Sequence, residues 1–342
     1  MRKLLNTLYV TNPEAFLSKE ENNLVVKVDG QKAMKVPFHI LENVILFGYL
    51  GCSPAVLGKC ADEGISLAFV DGRGRFLARV EGSTSGNVLL RREQYRRSDD
   101  IEESLVLAQR FIAAKIHNSK IVLQRFKRDY PHEIDSTFES LLHAVSSAEQ
   151  KVFLTRNLDT LRGVEGDAAH SYFSTFSKVI RVKEISEEFQ GRVRRPPEDP
   201  VNALLSFFYT ILASDVVSAC ETVGLDPQVG FLHRDRPGRA SLALDIIEEL
   251  RAYCVDRFVL SLVNRQQVTM AGFQAREDGA VVLRDEKRKE ILGLWQERKK
   301  EQITHPFLGE KIAVGLLPYV QTQLLARYLR GDLDDYPAFL WR

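Results

Sequence analysis

The sequence predicts an α+β protein in which a small N-terminal β-sheet domain is followed by a larger, all-α domain. Short extended runs separated by turn residues fill roughly the first ninety positions. From about Asp99 onward, apolar residues instead recur at three- and four-residue spacing, which is the period of a helix. A chain of 342 residues is long enough for two domains. We place them at 1–98 and 99–342.

Recognisable turns bound the predicted elements of the first domain. Extended runs at 24–28 and 32–36 flank Asp29-Gly30, and an Asp-Gly pair in that position predicts a hairpin. Ser53-Pro54 predicts the start of a short helix, because a capping residue followed by proline suits a first helical turn. That helix is expected to end near Gly64. Further strands are predicted at 43–47, 66–70 and 76–80, with a turn at 71–74.

The second domain is predicted to contain seven periodic segments. They lie at 101–129, 137–158, 166–180, 201–222, 241–263, 287–301 and 308–330. Pro318 falls inside the last segment and should split or start a helix there, since proline cannot donate a backbone hydrogen bond. A loop at 184–200 and a hairpin around Glu277-Asp278-Gly279 interrupt the helices.

Composition excludes several classes of protein. With 44% hydrophobic and 27% charged residues, the chain can bury a core and should be soluble. There is no run of eighteen apolar residues, so we expect no membrane span. Asn12 and Pro13 interrupt the N-terminal segment, which is too short and polar for a secretory signal. The four cysteines show no CxxC spacing, which indicates buried thiols in a reducing cytoplasm.

Charge is balanced overall but unevenly distributed. The formal net charge is +1, from 47 Lys and Arg against 46 Asp and Glu. Because attraction to phosphate is local and screened within roughly 10 Å, clusters matter more than the sum. Arginine-rich stretches occur at 91–97, 125–128 and 192–195, and the first also contains Tyr95. Arginine beside an aromatic residue suits a DNA track, although a solvated surface would show the same pattern.

A cluster of acidic residues lies on a very apolar predicted helix at 241–253. Asp245 and Glu248 are three residues apart and therefore share a face, while Glu249 points elsewhere. The surrounding residues are apolar almost all round the helix, so carboxylates there are costly unless they are paired or bind a metal. His233, on the preceding loop, is close enough in sequence to fold over this face.

Glu165 is a second candidate ligand. It lies between Gly163 and Gly166 at the predicted start of a helix, where glycines let a ligand approach the backbone. Two carboxylates and an imidazole suit Mg²⁺ or Mn²⁺ and leave coordination positions open for phosphate oxygens. Spacing alone leaves other interpretations open. His233 could hydrogen-bond a carboxylate, Glu248 could pair with Arg251, Asp245 with Arg236 or Arg239, and Glu165 could favour a helix N-terminus.

Several separated motifs resemble one known family. They are Gly163-Val-Glu-Gly-Asp-Ala-Ala, the segment 195–206 and the stretch 233–251. Together they resemble the CRISPR-associated spacer integrase, the first and most widespread of the CRISPR-associated proteins. The C-terminal segments 306–311 and 326–340 resemble its subtype I-C branch. The resemblance spans most of the chain and implies the same architecture, with a catalytic helical domain.

The resemblance implies a function and a set of catalytic residues. Glu165, His233 and Glu248 match the family's metal ligands, while Asp245 and Asn202 match accessory positions close to the site. With Mg²⁺ or Mn²⁺, the site would join DNA 3′-hydroxyl ends of new spacers to the repeat array, or cut DNA when water attacks. The residues expected to bind double-stranded DNA are Arg91, Arg92, Arg96, Arg97, Arg162, Arg192, Arg194, Arg195 and Arg239.

The resemblance also implies partner molecules, and two other functions are compatible with the same sequence. The family implies a homodimer, because inserting a duplex needs two strand transfers, and a small second adaptation protein that bridges two dimers. The alternative enzyme is a structure-specific DNA repair nuclease that uses the same metal site without joining strands. The alternative from another class is a non-catalytic nucleic-acid scaffold.

Overall fold

Strands dominate the N-terminal part of the computed structural model and helices the remainder, as predicted. The model describes residues 7–41, 43–47, 50–70, 76–80, 88–194 and 196–342. The strands of this described part are β1 (Thr7–Val10), β2 (Ala15–Glu20), β3 (Asn23–Val28), β4 (Gln31–Pro37), β5 (Asn43–Phe47), β6 (Ser66–Val70), β7 (Phe76–Val80), β8 (Phe273–Ala275), β9 (Val281–Leu283), β10 (Gln302–Thr304) and β11 (Lys311–Ala313). Its helices are α1 (Pro54–Glu63), α2 (Val88–Asp99), α3 (Ile101–Asp129), α4 (Ser136–Lys151), α5 (Leu158–Val179), α6 (Lys183–Glu188), α7 (Pro200–Val223), α8 (Ser241–Arg251), α9 (Arg257–Asn264), α10 (Asp285–Lys300) and α11 (Leu317–Leu329).

Two compact units make up the chain. The first contains Met1–Gly86 and Arg284–Glu301, and the second contains Asn87–Leu283 and Gln302–Arg342. This division differs from the predicted domains, 1–98 and 99–342, in two ways. Helix α2 belongs to the second unit, and α10 returns to the first, where Trp295 on α10 is buried. Sequence periodicity identifies a helix but carries no information about which unit a distant helix joins.

The first unit is built from two sheets. The four-stranded sheet has the order β1-β5-β6-β7, in which β1, β5 and β6 are parallel and β7 is antiparallel. Helix α1 makes the crossover between parallel β5 and β6, as such a connection requires. The other sheet is an antiparallel meander, β2-β3-β4. Leu17, Leu24, Val44 and Leu67, from four different strands, lie in one buried cluster.

The predicted hairpin and short helix are confirmed. Asp29 and Gly30 both have positive φ, 52° and 73°, which is the turn geometry that an Asp-Gly pair favours between antiparallel strands. Helix α1 begins at Pro54, and Gly64 terminates it in the left-handed conformation, with φ 66°. The turn predicted at 71–74 lies outside the described residues.

Helix α3, 29 residues long, is the centre of the second unit and packs against α4, α5 and α8. Asp100 caps its N-terminus by accepting hydrogen bonds from the backbone N–H groups of Glu102 and Glu103. The segment predicted as one helix at 241–263 is α8, a π-helical turn at Ala252–Asp256 and α9 in continuous succession. The unit also has two short antiparallel ribbons, β8–β9 and β10–β11, so it is not purely α-helical.

The packing of helix α7 against other helices accounts for its apolar composition. Among the described helices it alone has the length and hydropathy of a membrane span, and 56% of its most apolar window is buried within the protein. It packs against α8, α9 and α11, and Asn202 and Asp215 are buried along it. The apolar surface of α7 is therefore used in the helical core.

Candidate functional site

Asp245 organises the loop that carries His233. Its side chain is fully buried in the first half of α8. Oδ2 accepts hydrogen bonds from the backbone N–H groups of Phe231 (2.6 Å) and Leu232 (3.0 Å). Oδ1 accepts from the backbone N–H of His233 at 3.0 Å and lies 2.6 Å from His233 Nδ1. Asp245 therefore pairs with this loop, and the predicted alternative partners Arg236 and Arg239 are not needed to satisfy it.

The contact with Asp245 fixes the orientation of the His233 ring. A carboxylate at Nδ1 favours the tautomer in which Nδ1 carries the proton, which leaves the lone pair of Nε2 available to a ligand. Metal-binding histidines commonly use this carboxylate–histidine pair. The interpretation of His233 as a loop histidine hydrogen-bonded to a carboxylate is confirmed, whereas its role as a metal ligand stays a prediction. The hydrogen bond to Asp245 is compatible with both interpretations.

Three side chains from outside α8 hold the same loop. Gln94 on α2 donates to the carbonyls of Asp226 and Val229, both at 2.8 Å, and Ser98 donates to the carbonyl of Gly230 at 2.9 Å. Arg162 on α5 donates to the carbonyl of Leu232 at 2.7 Å. Together with Asp245 on α8, these contacts from α2 and α5 anchor the His233 loop from three helices. The anchoring limits the freedom of the loop to move.

Glu248 is buried between two cations. Its Oε1 lies 2.7 Å from Arg251 Nη2, and its Oε2 lies 2.7 Å from Lys115 Nζ. Burial alone would raise the pKa of this carboxyl, but the charges of Arg251 and Lys115 lower it to about 2. Glu248 is therefore an ionised acceptor at neutral pH. The predicted pairing with Arg251 is present and leaves Oε2 facing Lys115.

Glu165 reaches the same ammonium from another helix. Glu165 Oε1 forms an ion pair with Lys115 Nζ, so one cation joins the two predicted carboxylates. The expectation that Glu165 starts a helix is wrong, because α5 begins seven residues earlier, where Asn157 caps it. Gly163 and Gly166 therefore lie inside α5, where each glycine costs about 1 kcal/mol of helix stability. The packing of α5 against α3 and α4 offsets this cost.

Lys115 is the residue of this site that sequence reasoning missed. It is buried on α3, with 6% of its surface exposed. A signal was available, because Phe111, Lys115, Asn118 and Val122 follow the apolar spacing of α3, and a lysine on a buried stripe needs a partner. The acidic residues of α5 and α8 gave a signal in the sequence, but their cationic partner Lys115 lies on a third helix, α3.

The donor set suits a divalent cation that replaces Lys115. Glu248 Oε2 is buried and makes no hydrogen bond of good geometry, although Lys115 Nζ is nearby, so this oxygen retains acceptor capacity. Within the described residues, no three His, Cys, Asp or Glu side chains are yet close enough to hold a metal ion together. Two carboxylates and one imidazole are ligands that would suit Mg²⁺ or Mn²⁺ in place of the ammonium.

A hydrogen-bonded network lies behind Glu248. Asp256, buried at the end of the π-helical turn, accepts hydrogen bonds from the hydroxyls of Tyr209 (2.5 Å) and Tyr172 (3.0 Å). Burial raises the pKa of Asp256 to about 6 despite these bonds. The Arg251 guanidinium stacks over the Tyr209 ring at 4.9 Å. The network fixes the arginine that holds Glu248.

Asn202 is buried at the start of α7, where its side chain donates to the carboxylate of Asp199 at 2.5 Å. Its Nδ2 donates to the carbonyl of Gly191 (2.7 Å), and its Oδ1 accepts from Arg192 Nη1 (2.7 Å). Arg192 in turn stacks over Tyr209 at 5.5 Å. Asn202 thus fixes the chain before α7, and its effect on the site passes through Arg192 and Tyr209.

The chain as a whole is similar to known proteins. The family model described as CRISPR associated protein Cas1 matches residues 8–297. A protein of Chlorobaculum tepidum named CRISPR-associated endonuclease Cas1 1 is 46% identical over 343 residues, which cover 100% of both chains. The chain belongs to the Cas1 family.

Solved structures share the fold of this Cas1 chain. A casposase bound to an integration product superposes with a TM-score of 0.85 at 23% identity, covering 98% of this chain and 94% of the other. A Cas6-RT-Cas1–Cas2 complex gives 0.83 at 24% identity, covering 100% of this chain and 36% of that one. At sequence identities of 23% and 24%, these similarities show a shared fold and no more.

The arginines predicted to bind DNA fall into two groups in this Cas1 chain. Arg162 and Arg192 hold the His233 loop and the segment before α7, and Arg97 pairs with Glu93 (3.0 Å). The others that the structure describes line the surface or are half-buried, namely Arg91, Arg92, Arg96, Arg194 and Arg239. Arg195 lies outside the described residues. Arg234 and Arg236, exposed beside His233, were not on the predicted list.

Proposed function

We propose that this Cas1 protein is a divalent-metal-dependent DNA integrase and endonuclease of CRISPR adaptation, acting in the cytoplasm. The observation that carries the proposal is the convergence of Glu165 and Glu248 on one cation position, beside a histidine that Asp245 orients. Glu165, His233 and Glu248 would be its catalytic residues and the ligands of Mg²⁺ or Mn²⁺. A bound metal supplies Lewis-acid stabilisation of the scissile phosphate.

The reaction would be a transesterification. The 3′-oxygen of a donor strand forms a bond to a phosphorus of the repeat array, and the target's own 3′-oxygen leaves and takes up a proton. The number of phosphodiester bonds is unchanged, so no energy-rich cofactor is required. When water replaces the 3′-hydroxyl, the same site cuts DNA, which agrees with the word endonuclease in the relative's name.

The protein's own groups have distinct tasks in this scheme. Asp245 holds His233 in one tautomer and orientation, so Nε2 faces a ligand without reorganisation. Arg251 keeps Glu248 ionised and in place. Lys115 compensates the two carboxylates in this structure, and a bound metal would take over that compensation. A Lys115 ammonium released from the carboxylates would be available to a phosphate oxygen of DNA.

Partners follow from the same proposal. The exposed arginines of α2 and of the His233 loop would contact phosphates of double-stranded DNA, which orient the duplex without reading its sequence. Insertion of a duplex needs two strand transfers, so we propose a homodimer. A Cas2-like adaptation protein, as in the solved complex of similar fold, would bridge two dimers. The segments 306–311 and 326–340 favour the subtype I-C branch.

A strand-transfer assay tests the proposal. Wild-type protein with Mn²⁺ should join a donor oligonucleotide with a 3′-hydroxyl, and should not join the matching 3′-deoxy donor. His233→Ala should lower joining at least 100-fold, whereas His143→Ala, an exposed histidine on α4, should not. Cleavage without joining would support the repair-nuclease alternative, and unchanged joining by His233→Ala would refute the assigned site.

A further inference from the structure

A basic pocket lies on the second unit, outside the proposed metal site. It has a volume of about 260 Å³ and is bordered by the C-terminal half of α3, the end of α5, helix α9 and Trp341. Its lining contains four arginines and a single carboxylate, that of Asp129. The arginines are Arg125, Arg181, Arg257 and Arg265.

The arginines are held in place by aromatic rings. Trp341 is buried, and the guanidinium groups of Arg125 and Arg257 stack over its indole at 4.1 and 4.2 Å. Arg181 stacks over the Tyr130 ring at 4.2 Å. A stacked guanidinium keeps its five N–H donors in the plane of its edge, where they can bind an anion. Three of the four cations are therefore positioned by packing.

Backbone contacts also fix the rim. The Asn264 side chain accepts a hydrogen bond from the backbone N–H of Arg181 (2.8 Å) and donates to the carbonyl of Val179 (2.9 Å). The end of α5 is thus tied to the end of α9. Glu133 lies 3.3 Å from Arg181, Asp129 lies 2.8 Å from Arg128, and Arg125 donates to the oxygen of Arg342 at 3.0 Å. The lining itself holds four arginines and one carboxylate. Like charges held together at such a place favour binding of an anion.

Helix α3 and the α8–α9 run contribute residues both to the pocket and to the proposed metal site. Lys115 and Arg125 are ten residues apart on α3, and Glu248 and Arg257 are nine apart on the α8–α9 run. At about 1.5 Å of rise per residue, each pair is separated by roughly 14–15 Å along the helix axis.

We propose that this pocket binds a backbone phosphate of a DNA strand that also reaches the proposed metal site. Fork-shaped guanidinium groups match phosphate oxygens, and the volume suits one nucleotide-sized group rather than a large ligand. The identity of the ligand as DNA rests on the proposed function, whereas its anionic character rests on the lining alone.

The experiment measures DNA binding without metal, so it does not depend on catalysis. Fluorescence anisotropy with a labelled 20-mer duplex in EDTA, over a series of salt concentrations, compares wild type with Arg181→Gln/Arg265→Gln. We expect at least fivefold weaker binding and a salt slope that is smaller by about 1 to 2, since each lost phosphate contact removes about 0.9. Lys151→Gln/Lys289→Gln, which removes two exposed charges away from the pocket, is the matched control.

Two further arms separate the outcomes. Arg181→Lys/Arg265→Lys keeps the charge and should restore most of the salt slope, which shows that the glutamine variant fails through charge and not through misfolding. Because binding is measured in EDTA, the result for the pocket does not depend on whether the proposed catalysis is correct. Unchanged affinity and slope in Arg181→Gln/Arg265→Gln would overturn the pocket. A changed sedimentation coefficient of that variant with intact DNA binding would also overturn it, in favour of a protein interface.

Discussion

Lys115 connects the stability of the protein to its proposed chemistry. Its buried ammonium contacts both Glu165 and Glu248, so it supplies the positive charge that a metal would supply. Removing one partner of a buried ion pair leaves an uncompensated charge, which typically costs 3–5 kcal/mol. The metal-free protein should therefore depend on Lys115, while the metal-bound protein should not.

Substitution of Lys115 tests this exchange. Lys115→Met should lower the free energy of unfolding by about 3 kcal/mol in EDTA, and Mn²⁺ should restore much of that loss because it binds the two freed carboxylates. Urea denaturation with and without Mn²⁺ measures both effects. Lys120→Met is the matched control, because Lys120 lies on the same helix and pairs with Glu149 instead. Equal protection of both variants by Mn²⁺ would contradict the exchange.

At the scale of elements, the His233 loop works because α2, α5 and α8 hold it simultaneously. Gly230 permits the closest approach. A Cβ atom at Gly230 would lie 2.8 Å from Asp245 Oδ2 and 2.8 Å from the Ser241 carbonyl carbon. Neither neighbour can retreat easily, since Asp245 is fully buried and the Ser241 atom belongs to the backbone.

Two glycine substitutions should therefore have opposite effects. Gly230→Ala should destabilise the protein by about 1–3 kcal/mol through overpacking and should weaken Mn²⁺ binding by displacing His233. Gly166→Ala, inside α5, meets nothing within 4 Å and should stabilise the protein by about 0.5–1 kcal/mol. Thermal denaturation and Mn²⁺ titration compare the two. A Gly230→Ala protein as stable as Gly166→Ala would show that the loop can yield.

The sequence predicted most elements where local signals were strong. The hairpin at Asp29-Gly30, helix α1 and the long helix α3 carry turn residues, caps or a regular apolar stripe. Helix α2 was not predicted, because four of its twelve residues are arginines and it carries no regular apolar stripe. Its side chains anchor the His233 loop. The ribbons β8–β9 and β10–β11 have three-residue strands, and only the Asp278-Gly279 turn gave a signal.

The candidate site was predicted less completely than the fold. The resemblance to a family predicts Glu165, His233 and Glu248 as metal ligands. Spacing alone is compatible with a metal-bound Glu248 and with an ion pair between Glu248 and Arg251. The structure contains that pair and adds Lys115, a contact between helices far apart in sequence. Sequence separation conceals such contacts, because periodicity shows which face is buried and not which helix lies against it.

At the scale of the whole molecule, the buried carboxyl of Glu249 links the C-terminal segment to the helical core. Glu249 points away from Asp245 and Glu248, as predicted, and is fully buried. It accepts hydrogen bonds from the Tyr336 hydroxyl, from Gln321 Nε2 (3.0 Å) and from the backbone N–H of Phe339 (2.6 Å). Burial raises the pKa of Glu249 to about 7 from its ordinary value of 4.5.

The contribution of Glu249 to stability should consequently fall as the pH rises from about 4.5 to 7. The folded protein binds the Glu249 proton more tightly than the unfolded chain, so this contribution is complete below pH 4.5 and is lost by about pH 7. Glu249→Gln should flatten the dependence of unfolding free energy on pH between 5 and 7, by roughly 1 kcal/mol per pH unit at most. Urea denaturation at pH 5, 6, 7 and 8 measures the slope. Glu139→Gln, at an exposed position, is the control, and identical slopes in both variants would contradict the assignment.

The central claim is that one divalent cation replaces the Lys115 ammonium between Glu165 and Glu248 and is also bound by His233. A crystal structure of the protein soaked in Mn²⁺, with anomalous scattering recorded, tests it most directly. The predicted result is one strong anomalous peak within about 2.0–2.3 Å of a Glu165 oxygen, Glu248 Oε2 and His233 Nε2, with Lys115 moved away and Asp245 still bonded to the His233 loop. A peak bound by Asp245, or ordered Mn²⁺ elsewhere with Lys115 still bridging the two glutamates, would contradict the claim.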